Sequence, residues 1–169
     1  LAIGAYGIAN RIVFLFIMVV MGFNQGMQPI AGYNFGAQKY HRVLKTLRYT
    51  LIAGTAVTTT GFLIGELAPE VCVRLFTSDP ELITRSVDGM RLMLIVFPLV
   101  GTQMVTTNFF QSIGQAHKSI FLSLTRQLLF LIPLLIILPP FWGVNGIWLA
   151  MPISDGISSI VAGFLLIIQ

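Results

Sequence analysis

The sequence predicts an all-α, polytopic membrane protein in which about five transmembrane helices cross the bilayer. Of its 169 residues, 56% are hydrophobic and only 9% are charged, and the mean hydropathy is +0.87. A soluble domain carries about a quarter charged residues, so this composition indicates a fold whose solvent is the lipid bilayer. Apolar runs of roughly 20 residues, the length that a spanning helix needs, recur along the chain.

Five of these runs are separated by short polar or turn-forming segments. No sustained strand-like alternation competes with them, and no low-complexity segment interrupts them. The predicted spans are about 8–31, 47–68, 90–113, 120–138 and 144–168. Because Leu1 is not a methionine and an odd number of spans puts it outside, we expect this chain to be a fragment whose N-terminal part is absent.

The segment between the second and third spans predicts local structure of its own. Residues 69–76 predict a short interfacial helix. Its apolar side chains, which we expect to contact lipid, are Val71, Val73, Leu75 and Phe76. Asp79 directly before Pro80 is typical of a helix start, because aspartate caps the free backbone N–H groups and proline fits the first turn.

Lysines and arginines mark two loops as cytoplasmic. The loop 38–48 carries the basic residues Lys39, Arg42, Lys45 and Arg48, and the loop 114–119 carries Lys118. The segment 69–88 is mainly acidic, which predicts that it lies outside. Since the basic residues occupy short loops between apolar runs, we interpret the formal charge of +4 as an orientation signal and expect no nucleic-acid partner.

Amide side chains interrupt the first span in a region that should be plain hydrocarbon. Asn24 and Gln28 are four residues apart and share a helix face, and Gln25 lies one step round. Pro29 is expected to bend the helix there, because it lacks a backbone donor. Two interpretations stay open: these amides line a cavity for substrate or coupling ion, or they join neighbouring helices by hydrogen bonds.

The third span has a second polar face. Gln103, Thr107 and Gln111 follow a four-residue rhythm, Asn108 lies beside them, and Pro98 is expected to kink the helix above them. Cavity lining and interhelical bonding are again both possible. Pairs of glycines four residues apart, which allow helix backbones to approach closely, occur at 22/26, 32/36 and 61/65.

Asp155 is the sharpest single candidate in the chain. It lies about eleven residues into the fifth span, roughly 16 Å deep, and an intramembrane carboxylate is a functional hypothesis by default. Arg126 lies roughly 10 Å into the fourth span, which should run antiparallel to the fifth. We therefore expect either a structural ion pair that keeps Asp155 ionised or a carboxylate that carries a coupling ion or proton.

Motifs for enzyme chemistry are missing from the sequence. It contains no HExxH, CxxC, GxSxG or phosphate-binding loop, and its single cysteine, Cys72, cannot form an internal disulfide. We expect no enzyme activity, no cofactor and no metal site beyond the coupling ion.

Motifs in a fixed order resemble the multidrug and toxic compound extrusion (MATE) transporters. The residues that resemble their eighth helix are Gly22, Asn24-Gln25, Gly26, Gln28-Pro29-Ile30, Gly32-Tyr33-Asn34 and Gly36-Ala37. The stretches Gly114-Gln115-Ala116, Ser123 to Gln127, and Ile132-Pro133-Leu134 resemble their eleventh helix. The stretches Gly143 to Trp148 and Ala150 to Asp155 resemble the entry to their twelfth helix. We also expect helix kinks at Pro133 and at Pro152.

This resemblance implies that residues 1–169 form most of a six-helix C-terminal lobe, with helices similar to the eighth to twelfth. The expected partners are then the N-terminal lobe of the same chain, the lipid bilayer, and cationic or amphipathic drugs exported across the plasma membrane. Exchange for Na⁺ or H⁺ by alternating access is implied, although the span 90–113 lacks the interior acid that some members use.

Three other functions remain possible at this point. One is a lipid-linked oligosaccharide flippase of the same superfamily, which would be expected to have a more cationic cavity. Another is a membrane-embedded enzyme, which would need clustered ionisable groups. The third is a non-transporting structural subunit, which would have little use for two amide-rich helices.

Overall fold

The computed structural model describes residues 2–168, which form helices joined by short turns. The helices are α1 (Ala2–Gly36), α2 (Tyr40–Leu67), α3 (Pro69–Arg74), α4 (Pro80–Leu94), α5 (Phe97–Ser112), α6 (Ala116–Leu124), α7 (Ile132–Trp142) and α8 (Val144–Ile167). A π-helical segment, Thr125–Leu131, joins α6 to α7 without a break. Residues 2–168 contain no strand, so the predicted all-α class is confirmed.

Four stretches are long and apolar enough to cross a membrane. They are α1, α2, the continuous run 116–142 and α8. Helices α4 and α5 pass the same test only together and meet at an angle of 51°, so the described chain has four such spans, or five if this bent pair is counted as one. The prediction of about five transmembrane helices is thus confirmed.

The third predicted span, 90–113, is not a single helix. The chain is helical from Pro80 to Leu94, leaves the helix at residues 95–96, and becomes helical again at Phe97. Pro98 lies in the first turn of α5, where its missing N–H costs nothing, but its ring disfavours a continuous helix through the preceding residues. The predicted span 90–113 therefore covers α5 and the last residues of α4, but it omits the amphipathic residues 80–89 of α4.

Thr58 of α2 stabilises this bend. Its Oγ1 is 3.3 Å from the carbonyl oxygen of Pro98 and 3.0 Å from that of Gly54 on its own helix. A Cβ at Gly101 would be only 2.8 Å from the Gly54 carbonyl oxygen. Helices α2 and α5 therefore approach backbone to backbone directly below the bend.

Two of the other prolines predicted to kink a helix, Pro29 and Pro152, lie inside helices that do not end at them. Helix α1 continues through Pro29, and α8 continues through Pro152, without interruption. A single proline removes one backbone bond, and the remaining bonds hold these long helices together. Pro133 lies in the first turn of α7, immediately after the π-helical segment.

Two apolar clusters hold the bundle together. The outer cluster joins α1, α4, α5 and α8 through residues that include Ile12, Leu94, Phe97 and Trp148. The inner cluster joins α1, α2, α5 and α8 through residues that include Val20, Met27, Leu47, Phe110 and Ala162. Helix α5 contributes to both clusters and contacts α1, α2 and α8, so it is the central element of the described chain.

The predicted glycine pairs differ in their packing. A Cβ at Gly61 would be 2.9 Å from both Phe16 and Phe97, and one at Gly32 would be 2.9 Å from the Ser112 carbonyl oxygen. Gly65 packs against Leu94. By contrast, a Cβ at 22, 26 or 36 would meet no atom within 4 Å among the described residues, because these glycines lie on the open side of α1.

The segment between α2 and α4 forms a short helix and a capped helix start. Asp79 Oδ1 accepts hydrogen bonds from the backbone N–H groups of Glu81 and Leu82 at 2.9 and 3.3 Å, as the sequence predicts. The expectation that Val73 contacts lipid is wrong, because its side chain is 0% exposed and belongs to the outer cluster. A residue of a short amphipathic helix can face the bundle as readily as the membrane.

Candidate functional site

An amide pair joins α1 to α5. Gln28 Nε2 donates a hydrogen bond to Asn108 Oδ1 at 3.0 Å. Asn108 in turn donates through Nδ2 to the carbonyl oxygen of Met104, one turn earlier on α5, at 2.9 Å. The second bond fixes the orientation of the Asn108 amide, so its oxygen points toward α1.

The register of the two helices brings one more amide to this region. Gln28 lies beside Asn108, and Gly32 lies beside Ser112, so paired residues on α1 and α5 differ by 80 in number. Asn24 lies one turn before Gln28 on the same face of α1 and is almost fully buried, with 2% of its surface exposed. Asn24, Gln28 and Asn108 are called the amide cluster below. Gln103 lies five residues before Asn108, about 140° round α5, so it faces away from this contact with α1.

Part of the amide cluster has no protein partner. Within residues 2–168, Asn24 Nδ2 and Oδ1 are buried without a hydrogen bond, as is Gln103 Oε1 on the other side of α5. Burying an unbonded amide costs free energy, and almost all buried polar groups in proteins are bonded to protein or ordered water. The cluster therefore offers unused donors and acceptors to water or to a polar ligand.

The remaining predicted residues of the polar faces lie elsewhere. Gln25 and Gln111 are exposed on the surface of the described chain, and Thr107 is half-buried beside the cluster. The structure thus joins Gln28 to Asn108, with Asn24 one turn away on α1, and leaves the other predicted residues elsewhere on α1 and α5.

Arg126 and Asp155 form a charged contact between the π-helical segment and α8. Arg126 Nε lies 2.6 Å from Asp155 Oδ1, and the two side chains are 36% and 14% exposed. The neighbouring Ser154 donates through Oγ to the Arg126 carbonyl oxygen at 2.9 Å. Two adjacent residues of α8 therefore hold the side chain and the backbone of Arg126.

Serines of α8 are the residues that sequence reasoning missed. Ser159 Oγ lies 2.7 Å from the Asp155 carbonyl oxygen and 3.0 Å from the Leu99 carbonyl oxygen of α5. Ser158 is buried, and within the described residues its Oγ has no hydrogen-bond partner. The small-residue spacing of Ser154, Ser158 and Ser159 in the stretch MPISDGISS was the available signal.

The π-helical segment was not expected from the sequence. At its end, the Ile132 N–H bonds the Gln127 carbonyl oxygen, five residues back, as in a π-helix. Pro133 follows directly and has no N–H, so the α-helical pattern of bonds must be interrupted at this point in any case. The wider turn allows Ser154 to reach the carbonyl group of Arg126.

Ionisable groups do not gather into a metal site within the described part of the chain. Residues 2–168 contain no group of three or more His, Cys, Asp or Glu side chains that could hold a metal ion. The arrangement is therefore a neutral amide cluster with a separate ion pair, which suits polar recognition and helix positioning.

A family model and two related sequences each match most of this chain. The MatE family model matches residues 1–137. The multidrug export protein MepA of Staphylococcus haemolyticus (strain JCSC1435) is 23% identical over 164 residues, covering 97% of this chain and 36% of that protein. MepA of Staphylococcus aureus (strain NCTC 8325 / PS 47) is 24% identical, covering 95% of this chain and 35% of that protein.

Solved structures agree in fold. The MATE multidrug transporter DinF-BH, solved in complex with a ligand, is 39% identical with a TM-score of 0.88, covering 97% of this chain and 37% of that one. The MATE transporter ClbM in complex with Rb⁺ has a TM-score of 0.81 at 18% identity, covering 98% and 39%. The chain thus spans little more than a third of the length of these relatives. Since the family model covers more than half of the chain, the chain belongs to the MatE family of integral membrane transporters.

Proposed function

We propose that the transporter to which this chain contributes exports cationic or amphipathic organic compounds across the plasma membrane. It would do so by alternating access between this lobe and an N-terminal lobe of the same protein, in exchange for Na⁺ or H⁺. The observation that carries the proposal is the amide cluster between α1 and α5, with its buried and unbonded amide atoms.

Neutral amides suit a site for varied organic cations. Their carbonyl oxygens accept hydrogen bonds and attract positive charge, while their NH₂ groups donate, so one cluster adapts to several ligands. Asn24, Gln28 and Asn108 carry no charge, so these residues would not hold an organic cation by a fixed counter-charge. Such a site favours weak, broad binding, which an exporter needs in order to release its substrate.

The relatives support drugs as the substrate class. Those matched by sequence are named multidrug export proteins, and DinF-BH is described as a multidrug transporter. An oligosaccharide flippase is less well supported, because it would be expected to have a more cationic cavity. Apart from the basic loop 38–48, the predicted spans hold only three arginines, Arg11, Arg91 and Arg126, and Arg126 is paired with Asp155.

The orientation that accompanies this proposal follows from the charged loops. Loops 38–48 and 114–119 would face the cytoplasm, and the segment 69–88 would lie outside. Asp155 would act mainly as a positioning residue, because its carboxylate is held by Arg126 at 2.6 Å. Ion coupling would then depend on residues outside this chain.

Ethidium efflux from cells that express the full-length transporter tests the proposal, with sodium and pH gradients imposed separately. We expect the wild type to export the dye under one of these gradients. Asp155→Asn should reduce the amount of folded protein while the remaining protein keeps its gradient dependence. If Asp155→Asn folds normally but loses gradient dependence, Asp155 carries the coupling ion. If the wild type moves no dye under either gradient, the drug-export function itself is wrong.

A further inference from the structure

One face of α2 forms a basic cavity at the protein surface. His41, Lys45, Arg48 and Tyr49 line a cavity of about 610 Å³, together with Leu44 and Ile52. All six residues are exposed and come from the first four turns of α2. Lys45 Nζ lies 5.8 Å from the centre of the Tyr49 ring, so the aromatic side chain helps to hold the ammonium group in the cavity.

The positive charge of this cavity has no acidic partner among residues 2–168. The first acidic residue of the sequence is Glu66, at the opposite end of α2, and Asp155 is already paired with Arg126. Among the described ion pairs, none includes Lys45 or Arg48. The cavity therefore attracts an anion from outside the described chain.

A second cavity continues from the first along the same helix. This furrow has a volume of about 480 Å³ and shares Ile52 with the basic cavity. Its lining consists of Leu51, Ile52, Thr55, Ala56 and Thr59 of α2 and Thr102 of α5. Thr102 Oγ1 donates to the Leu99 carbonyl oxygen of its own helix at 2.7 Å, and Thr60 lies outside this lining.

The two cavities lie at the depths that a phospholipid requires. Helix α2 has 28 residues and is about 42 Å long, whereas the hydrocarbon core is about 30 Å thick. The basic first turns therefore lie at the level of the lipid head groups, and the furrow from Ile52 to Thr59 lies in the hydrocarbon. Polar aromatic residues such as Tyr49 are typical of the boundary between them.

We propose that this face of α2 binds one anionic glycerophospholipid. Its phosphate would lie between Lys45 and Arg48, with His41 beside it, and one acyl chain would follow the furrow past Ile52 and Ala56. Basic clusters next to a spanning helix attract anionic lipids, and the furrow adds a contact that a soluble phosphate cannot make. The site is separate from the amide cluster, so it does not depend on the transport activity proposed above.

Native mass spectrometry of the purified full-length transporter, titrated with phosphatidylglycerol or phosphatidylcholine, tests the site. We expect phosphatidylglycerol to bind more tightly than phosphatidylcholine. The double variant Lys45→Gln/Arg48→Gln should weaken phosphatidylglycerol binding roughly 30-fold, since each basic residue near a membrane surface contributes about 1 kcal/mol. The matched control Lys39→Gln/Arg42→Gln removes the same charge from the same loop but outside the cavity, and it should have a much smaller effect.

The furrow is tested without changing any charge. Ala56→Leu fills it and should weaken phosphatidylglycerol binding severalfold, whereas Thr60→Leu adds bulk to α2 outside it and should not. The head group alone, supplied as sn-glycerol 3-phosphate, should fail to compete. The proposal is overturned if both double variants weaken binding equally, if Ala56→Leu binds like the wild type, or if the face is covered by another part of the transporter and binds no phospholipid.

Discussion

Arg126 Nε lies 2.6 Å from Asp155 Oδ1, so a charged pair joins the π-helical segment to α8. The carboxylate is the more buried partner, and removal of Arg126 would leave it poorly solvated. We expect Arg126→Gln to lower the melting temperature of the full-length transporter in detergent more than Arg126→Gln/Asp155→Asn does. The double-mutant cycle should give a coupling energy on the order of 1–3 kcal/mol. Additive effects of the two single changes would show that the contact does not stabilise the fold.

The hydroxyl group of Ser154 should also stabilise this junction. It donates to the Arg126 carbonyl oxygen at 2.9 Å, whereas within the described chain the equally buried Ser158 Oγ has no partner. Ser154→Ala should therefore lower the free energy of unfolding by about 1 kcal/mol. Ser158→Ala, the matched control, should be neutral or slightly stabilising. Equal losses in thermal unfolding would contradict the assigned hydrogen bond.

Gly101 is the position where an added methyl group should be tolerated least on α5. Its Cβ would be 2.6 Å from Thr58 Oγ1 and 2.8 Å from the Gly54 carbonyl oxygen, and the backbone cannot move without separating α2 from α5. We expect Gly101→Ala to cost about 1–3 kcal/mol, like other cases of overpacking. Gly163→Ala on α8, where no atom lies within 4 Å, is the control and should leave the melting temperature unchanged.

A substitution at Asn24 tests whether its side chain binds substrate or stabilises the fold. Because its amide has no hydrogen-bond partner within residues 2–168, Asn24→Leu should keep or raise the melting temperature. Loss of a hydrogen bond to substrate or its water should weaken apparent substrate affinity about 2- to 10-fold in dye-efflux titrations. Stable protein with unchanged efflux would remove Asn24 from the proposed cavity.

For Gln28 we expect a lower melting temperature on substitution, in contrast to Asn24. Gln28→Leu breaks the bond to Asn108 Oδ1 and should lower the melting temperature, since the half-buried Asn108 oxygen loses its partner from α1. The measurement is thermal unfolding of Gln28→Leu beside Asn24→Leu in the same detergent. If the two variants melt alike, the amide pair does not join α1 to α5.

The sequence predicts those features that depend on fixed helix geometry. The contact between Arg126 and Asp155 can be predicted, because the rise per residue gives their depths in the membrane and the short turn makes their helices antiparallel neighbours. The number of spans follows in the same way from apolar length. The Asp79 cap is local and needs no knowledge of packing.

Other features depend on packing between distant elements. No residue pattern shows that Asn24 lacks a partner while Gln28 has one, because this depends on the register of α1 against α5. The bend between α4 and α5 has a local signal at Pro98, but no residue pattern gives its angle of 51°. The hydrogen bond from Ser154 to the Arg126 carbonyl oxygen likewise joins residues that are distant in sequence.

Helix α7 differs from every other spanning element in how strongly the fold constrains its amino acids. None of its residues is buried within the described chain, whereas α5 has eight buried residues. At the positions of α7 that face lipid in the full-length transporter, one apolar side chain serves about as well as another. In a library of all single substitutions of that transporter, these positions should accept wide exchange among apolar residues and lose only charged variants. Evolutionary drift should therefore be faster at the lipid-facing positions of α7 than along α5.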